Sequence, residues 1–172
     1  MFDDEVKQAL ESGSNVILLS NGPETITPDL KIVPRSEDSL NGNWISNFAW
    51  VRKAAAPFSK IGFDTLSGFE TGSATPEAVV QAVPPAEFKD VLAGEFYGWI
   101  HSNVGTLVQA RYGKGKLLIC TFSLNTPYGT DPYATYLMDA LVNYAASGFS
   151  PQFDITPQAP AKAGPQADTA AK

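Results

Sequence analysis

Thr106-Leu107-Val108-Gln109-Ala110-Arg111-Tyr112, then Gly113-Lys114-Gly115, then Lys116-Leu117-Leu118-Ile119-Cys120-Thr121-Phe122 reads as two strands joined by a hairpin turn. Glycines accept the positive φ angles of tight turns, so two of them between apolar runs mark a reversal of the chain. Working outward, Asn15-Val16-Ile17-Leu18-Leu19-Ser20 is a continuous apolar run ending in the turn residues Asn21-Gly22-Pro23. It suits a central parallel strand covered on both faces. Helices flank these strands. Asp3 to Ser12 places Val6, Ala9 and Leu10 on one face and stops at Gly13. Asp131-Pro132 supplies an N-cap and a first-turn proline to a C-terminal helix carrying Tyr133, Leu137, Leu141 and Tyr144, with Gly148 at its end. The class is α/β.

Between Thr25 and Pro85 only short apolar pieces occur, such as Leu30-Lys31-Ile32-Val33 and Trp44 to Val51, which predicts loops with short elements. The expected organisation is one α/β domain over residues 1–150 and a Pro/Ala-rich disordered tail over 151–172. That tail has only Phe153 and Ile155 as large apolar residues to offset the entropy of ordering. No internal repeat is present.

The 172 residues are 44% hydrophobic and 17% charged, as in an ordinary soluble globule. A formal net charge of −6 without a Lys/Arg run repels phosphate backbones and anionic bilayers, so neither nucleic acid nor membrane is an expected partner. Met1-Phe2-Asp3-Asp4-Glu5 lacks the basic start of a secretory signal, and no apolar run is long enough to cross a bilayer. Cys120 is the only cysteine, which excludes an internal disulfide.

Nucleophilic catalysis would require Cys120 or a serine beside His101, the only histidine. Cys120 falls inside a strand, where a thiol is inert packing, and Ser20 lacks the glycines of a G-x-S-x-G elbow. One His and one Cys make no metal-ligand pattern, and no cofactor is expected. Gly113-Lys114-Gly115-Lys116 falls short of a phosphate loop because Leu117 stands where Ser or Thr is needed. Asp90, Glu95 and Asp131 are the carboxylates open to nomination for glycosidase chemistry, but most carboxylates on an acidic chain are solvated surface. The aromatic residues Trp44, Phe48, Trp50, Phe96, Tyr97 and Trp99 form either a sugar-stacking platform or, by preference, core packing.

Trp44-Ile45-Ser46-Asn47-Phe48-Ala49-Trp50, Pro57-Phe58, Gly94 to Ile100, Tyr112 to Ile119 and Asp131-Pro132-Tyr133 to Tyr144 occur in an order that resembles a known family. It is the C-terminal glutamine-amidotransferase-like domain of some bacterial family 2 glycoside hydrolases, the β-galactosidase and β-mannosidase-like enzymes. The resemblance spans about residues 4–148. It implies a flavodoxin-like layered parallel sheet and a non-catalytic accessory role, in keeping with the absence of Cys at Ser20-Asn21-Gly22. It transfers no catalytic residue, and it implies a parent that is periplasmic or secreted.

In such a domain a strand, helix and strand precede the helix at Asp3, so the chain reads as the latter part of a larger domain. The expected partners are the remainder of a parent glycoside hydrolase, or a second copy through an open sheet edge, with marginal stability in isolation. Two alternatives stand beside this reading. One is a carbohydrate-binding module using exposed Trp44, Trp50 and Trp99. The other is an amidohydrolase using Cys120 and His101.

Overall fold

The computed structural model describes residues 1–20, 22–35, 47–60, 69–97 and 102–157. Helix α1 (Asp4–Glu11) starts where the Asp3 carboxylate accepts a 3.0 Å hydrogen bond from the Val6 amide, and it leads into β1 (Asn15–Leu19). The strands that follow are β2 (Glu24–Thr25), β3 (Lys31–Pro34), β4 (Asn47–Val51), β5 (Ala78–Gln81), β6 (Val91–Tyr97), β7 (Ser102–Tyr112) and β8 (Gly115–Cys120). Helix α2 (Pro132–Ser147) comes last. The strands form one mixed, strongly curled half-barrel sheet.

The predicted hairpin is β7–β8, with Tyr112 opposite Gly115 and Gly113 at φ +59° in the two-residue turn. Gly115 is fixed by space: a Cβ there would lie 2.5 Å from the Leu10 carbonyl oxygen and 2.6 Å from that of Ser14, so the end of α1 sits directly on the hairpin. Strand β7 is the hub. Leu107 pairs with Ala93 of β6 and Cys120 of β8, and Gly105 lies between Gly94 of β6 and Val80 of β5.

The flavodoxin-like expectation of a parallel sheet needs correction. Of the described pairs only β1–β8 is parallel, while β2–β3, β3–β5, β4–β6, β5–β7, β6–β7 and β7–β8 are antiparallel. For β6–β7 and β7–β8 the reason is connection length. Parallel neighbours need a crossover of a dozen or more residues, whereas β6 to β7 and β7 to β8 are joined by only a few.

Strand β1 is the end strand of the described sheet rather than a central one. Its side chains alternate between two cores. Val16 and Leu18 join Leu10, Leu117 and Ile119 on the α1 side, and Ile17 and Leu19 join Leu118, Leu137 and Leu141 on the α2 side. The layering expected of an α/β domain is therefore present at this edge, yet only Leu18 of β1 is fully buried.

Residues 151–157, the described part of the expected tail, pack on the domain. Residues 151–157 lie along β7 on the edge opposite β8: Arg111 donates to the Phe153 carbonyl at 2.7 Å and Ile155 donates back to Arg111 at 2.9 Å. Phe153 and Ile155 are 7% exposed. Composition underestimates this strap because its backbone is paired by a pre-formed strand edge and its two apolar side chains enter a core built by the rest of the chain. Residues 158–172 lie outside the described residues.

Candidate functional site

Cys120 ends β8 fully buried, opposite Leu19 of β1 and Leu107 of β7. Burial pushes its thiol up to about 12, only partly opposed by a backbone hydrogen bond from Phe122. At neutral pH it is a protonated thiol without solvent access, and the amidohydrolase expectation loses its nucleophile. His101 lies outside the described residues, as do Trp44 and Trp99. Trp50 on β4 is partly buried against the core, its indole beside Gly94, where a Cβ would meet the ring at 2.8 Å. Its role there is packing across β4–β6.

The nominated carboxylates do structural work. Asp131 caps α2, accepting from the Ala134 amide at 2.8 Å, and this bond holds its carboxyl below the usual range. Glu95 is 4% exposed and pairs with Arg35 Nε at 3.0 Å. Asp90 is 2% exposed, and both of its oxygens are engaged. Oδ1 accepts from Gln109 Nε2 at 2.7 Å, and Oδ2 accepts from the amides of Gln152 at 2.8 Å and Phe153 at 2.6 Å.

Asp90 is one end of a polar chain through the molecule. Gln109 on β7, donating to Asp90, accepts at Oε1 from the Tyr144 hydroxyl at 2.6 Å. Tyr144 stands on α2, its ring 5.2 Å from that of Phe149. Burial, and then the charge of Asp90, raise its hydroxyl above the ordinary tyrosine value, so it remains a donor at neutral pH. The chain links α2, the sheet and the strap.

Tyr144 also lines a cleft of about 670 Å³ between α2 and the Ala56–Ser59 segment. Tyr136, Asp139, Asn143 and Ser147 share this wall because they recur at helical spacing, away from the stripe of Tyr133, Leu137 and Leu141 that enters the core. Tyr128 donates to Asp139 Oδ1 at 3.1 Å, which orients the carboxylate and raises the Tyr128 hydroxyl. The sequence reading assigned Tyr144 to the core stripe and passed over Tyr136 and Asn143. Their spacing of three, four and seven along the helix is the signal that marks a second face.

A second cleft, about 690 Å³, lies between the 26–30 turn, Tyr112 and the strap. Among the described residues no group of three or more His, Cys, Asp or Glu could hold a metal ion, and no helix is long and apolar enough to cross a membrane.

Residues 99–163 match a family described as a domain of unknown function, DUF8487. The matched span takes in β7, β8, α2 and the strap, and with them Gln109, Tyr136, Asp139 and Tyr144, but not Asp90. No curated protein matches the chain.

Proposed function

We propose that the chain is a non-catalytic accessory domain of a β-galactosidase-like glycoside hydrolase, packing against its parent through the free edge of β1. The carrying observation is the condition of that strand. Its faces are covered by α1 and α2 and its first edge is paired to β8, while the second edge has no strand among the described residues. Val16, Ile17 and Leu19 are only half-buried there. A strand so placed offers a row of N–H and C=O groups and apolar side chains to an incoming strand, the geometry of β-augmentation. The order of sequence motifs points to the parent as the donor of that strand.

The non-catalytic part of the proposal rests on the groups themselves. Cys120 is buried and protonated, and Asp90, Glu95 and Asp131 each hold a structural partner.

Three measurements test the reading. The native reading frame that holds this sequence is expected to encode a glycoside hydrolase catalytic domain; a frame without one overturns the assignment. The purified chain is expected to leave nitrophenyl glycosides intact, and turnover that survives repurification overturns the non-catalytic role. Third, sedimentation across a concentration series is expected to show self-association when the parent is absent. A strictly monomeric species would remove the argument from the β1 edge.

A further inference from the structure

We propose that the C-terminal strap, residues 151–157, exchanges between two copies of the chain, each copy's strap filling the groove of the other. The inference is independent of the accessory-domain reading and uses the edge of β7, not that of β1.

The groove holds the strap through contacts that read a short extended segment. The Arg111 amide donates to the Phe153 carbonyl at 2.7 Å, and the Arg111 carbonyl accepts from the Ile155 amide at 2.9 Å. Around this bridge the Arg111 guanidinium donates to Asp154 Oδ2 at 2.7 and 3.2 Å, and the Gly113 amide donates to Thr156 Oγ1 at 2.8 Å. Upstream, Asp90 Oδ2 accepts from the amides of Gln152 and Phe153. Phe153 and Ile155 enter the core that holds Phe2, Ile26, Leu30 and Tyr112. Main-chain pairing plus alternate side-chain anchors is how a sheet edge binds a peptide in trans. None of these contacts requires the strap to belong to the same chain.

The architecture favours exchange. The strap follows α2, so its departure unthreads no strand or helix. Its link is short: Phe149 is anchored with its ring 5.2 Å from that of Tyr144, Pro151 is buried, and Ser150 between them is exposed. An empty groove is costly, because undocking strands the buried Asp90 carboxylate and opens apolar core to water. The segment that satisfies every one of these contacts is Gln152 to Thr156, which each copy carries, so the partner that fits is a second copy. Reciprocal docking closes a two-fold dimer in which both grooves are filled by the contacts they hold in the monomer.

The test reverses the Arg111–Asp154 ion pair, whose side chains are 52% and 42% exposed, so that the core is left intact. Arg111→Asp and Asp154→Arg each set like charges between groove and strap, both in cis and in a homodimer. Mixed, the two chains bring opposite charges together at both grooves of an exchanged heterodimer. Sedimentation of the two full-chain variants, alone and in equimolar mixture after brief partial unfolding in urea, reads the difference. The mixture is expected to dimerise at least about tenfold more tightly than either variant alone. Equal association in all three samples would belong to an edge that lacks this ion pair, such as β1, and overturns the exchange, as does a mixture that stays monomeric. Deletion of Ser150 from the full chain is the second variant. The shortened link strains docking in cis and is expected to give a stable dimer, and a monomer there also overturns the proposal.

Discussion

Tyr144 on α2 and Gln109 on β7, separated by 35 positions in the sequence, are joined by a 2.6 Å hydrogen bond in which the tyrosine hydroxyl donates. Because Gln109 in turn donates to Asp90, and Asp90 holds the strap, a surface helix and the C-terminal segment report to the same buried carboxylate. Such a chain is strong when complete and costly when cut, since each cut leaves a buried polar atom without a partner.

Asp90→Ala is therefore expected to destabilise the protein by about 3 kcal/mol, stranding the Gln109 amide and the Gln152 and Phe153 N–H groups. Tyr144→Phe removes a single donor and is expected to cost about 1 kcal/mol. Urea denaturation measures both. Equal effects would mean that the strap does not depend on Asp90.

The Cys120 thiol sets an alkaline limit. An unfolded cysteine ionises near 9, and the folded one is pushed up to about 12. Between these values the unfolded chain releases a proton that the folded chain keeps, so stability present below pH 9 is lost as pH rises, at up to about 1.4 kcal/mol per pH unit. Tyr144, also raised, adds to the loss above pH 10. Cys120→Ala is expected to flatten the slope between pH 9 and 10, read from urea midpoints. A thiol that reacts with Ellman's reagent at neutral pH without denaturant would contradict its burial.

Gly115→Ala tests the seat of α1 on the hairpin. The added methyl meets main-chain atoms of Leu10 and Ser14 rather than a movable side chain, so a cost of about 3 kcal/mol or more is expected. Gly129→Ala is the contrast. Nothing lies within 4 Å of its Cβ position, and with φ at +81° its cost should be near 1 kcal/mol, from backbone conformation alone. Thermal melts of the pair would separate contact from conformation.

Loss of the α2 cap should depend on acid. The Ala134 amide holds the Asp131 carboxyl below its ordinary value of 3.8, so the contribution of the charged cap is present above pH 3.8 and lost as pH falls through the lowered value. Asp131→Ala is expected to melt at lower temperature than wild type at pH 7, with the gap closing below pH 3.8. A constant gap across that range would show that the carboxylate charge plays no part.

What the sequence by itself determined is local. The Gly113-Lys114 turn between apolar runs, the Asp131 cap and the stop at Gly148 each follow from backbone preferences within a few residues, and all stand where expected. The burial of Cys120 followed from its place inside an apolar strand. What only the tertiary structure decided is non-local. Antiparallel pairing around β7 depends on which strands meet, and an apolar run such as Val16 to Leu19 reads alike whether it is central or at an edge. The strap at 151–157 is ordered by a strand edge and a core that its own composition does not contain. Asp90, Gln109 and Tyr144 carry no motif between them, for their partnership is fixed by folding across the sheet and not by spacing along the chain.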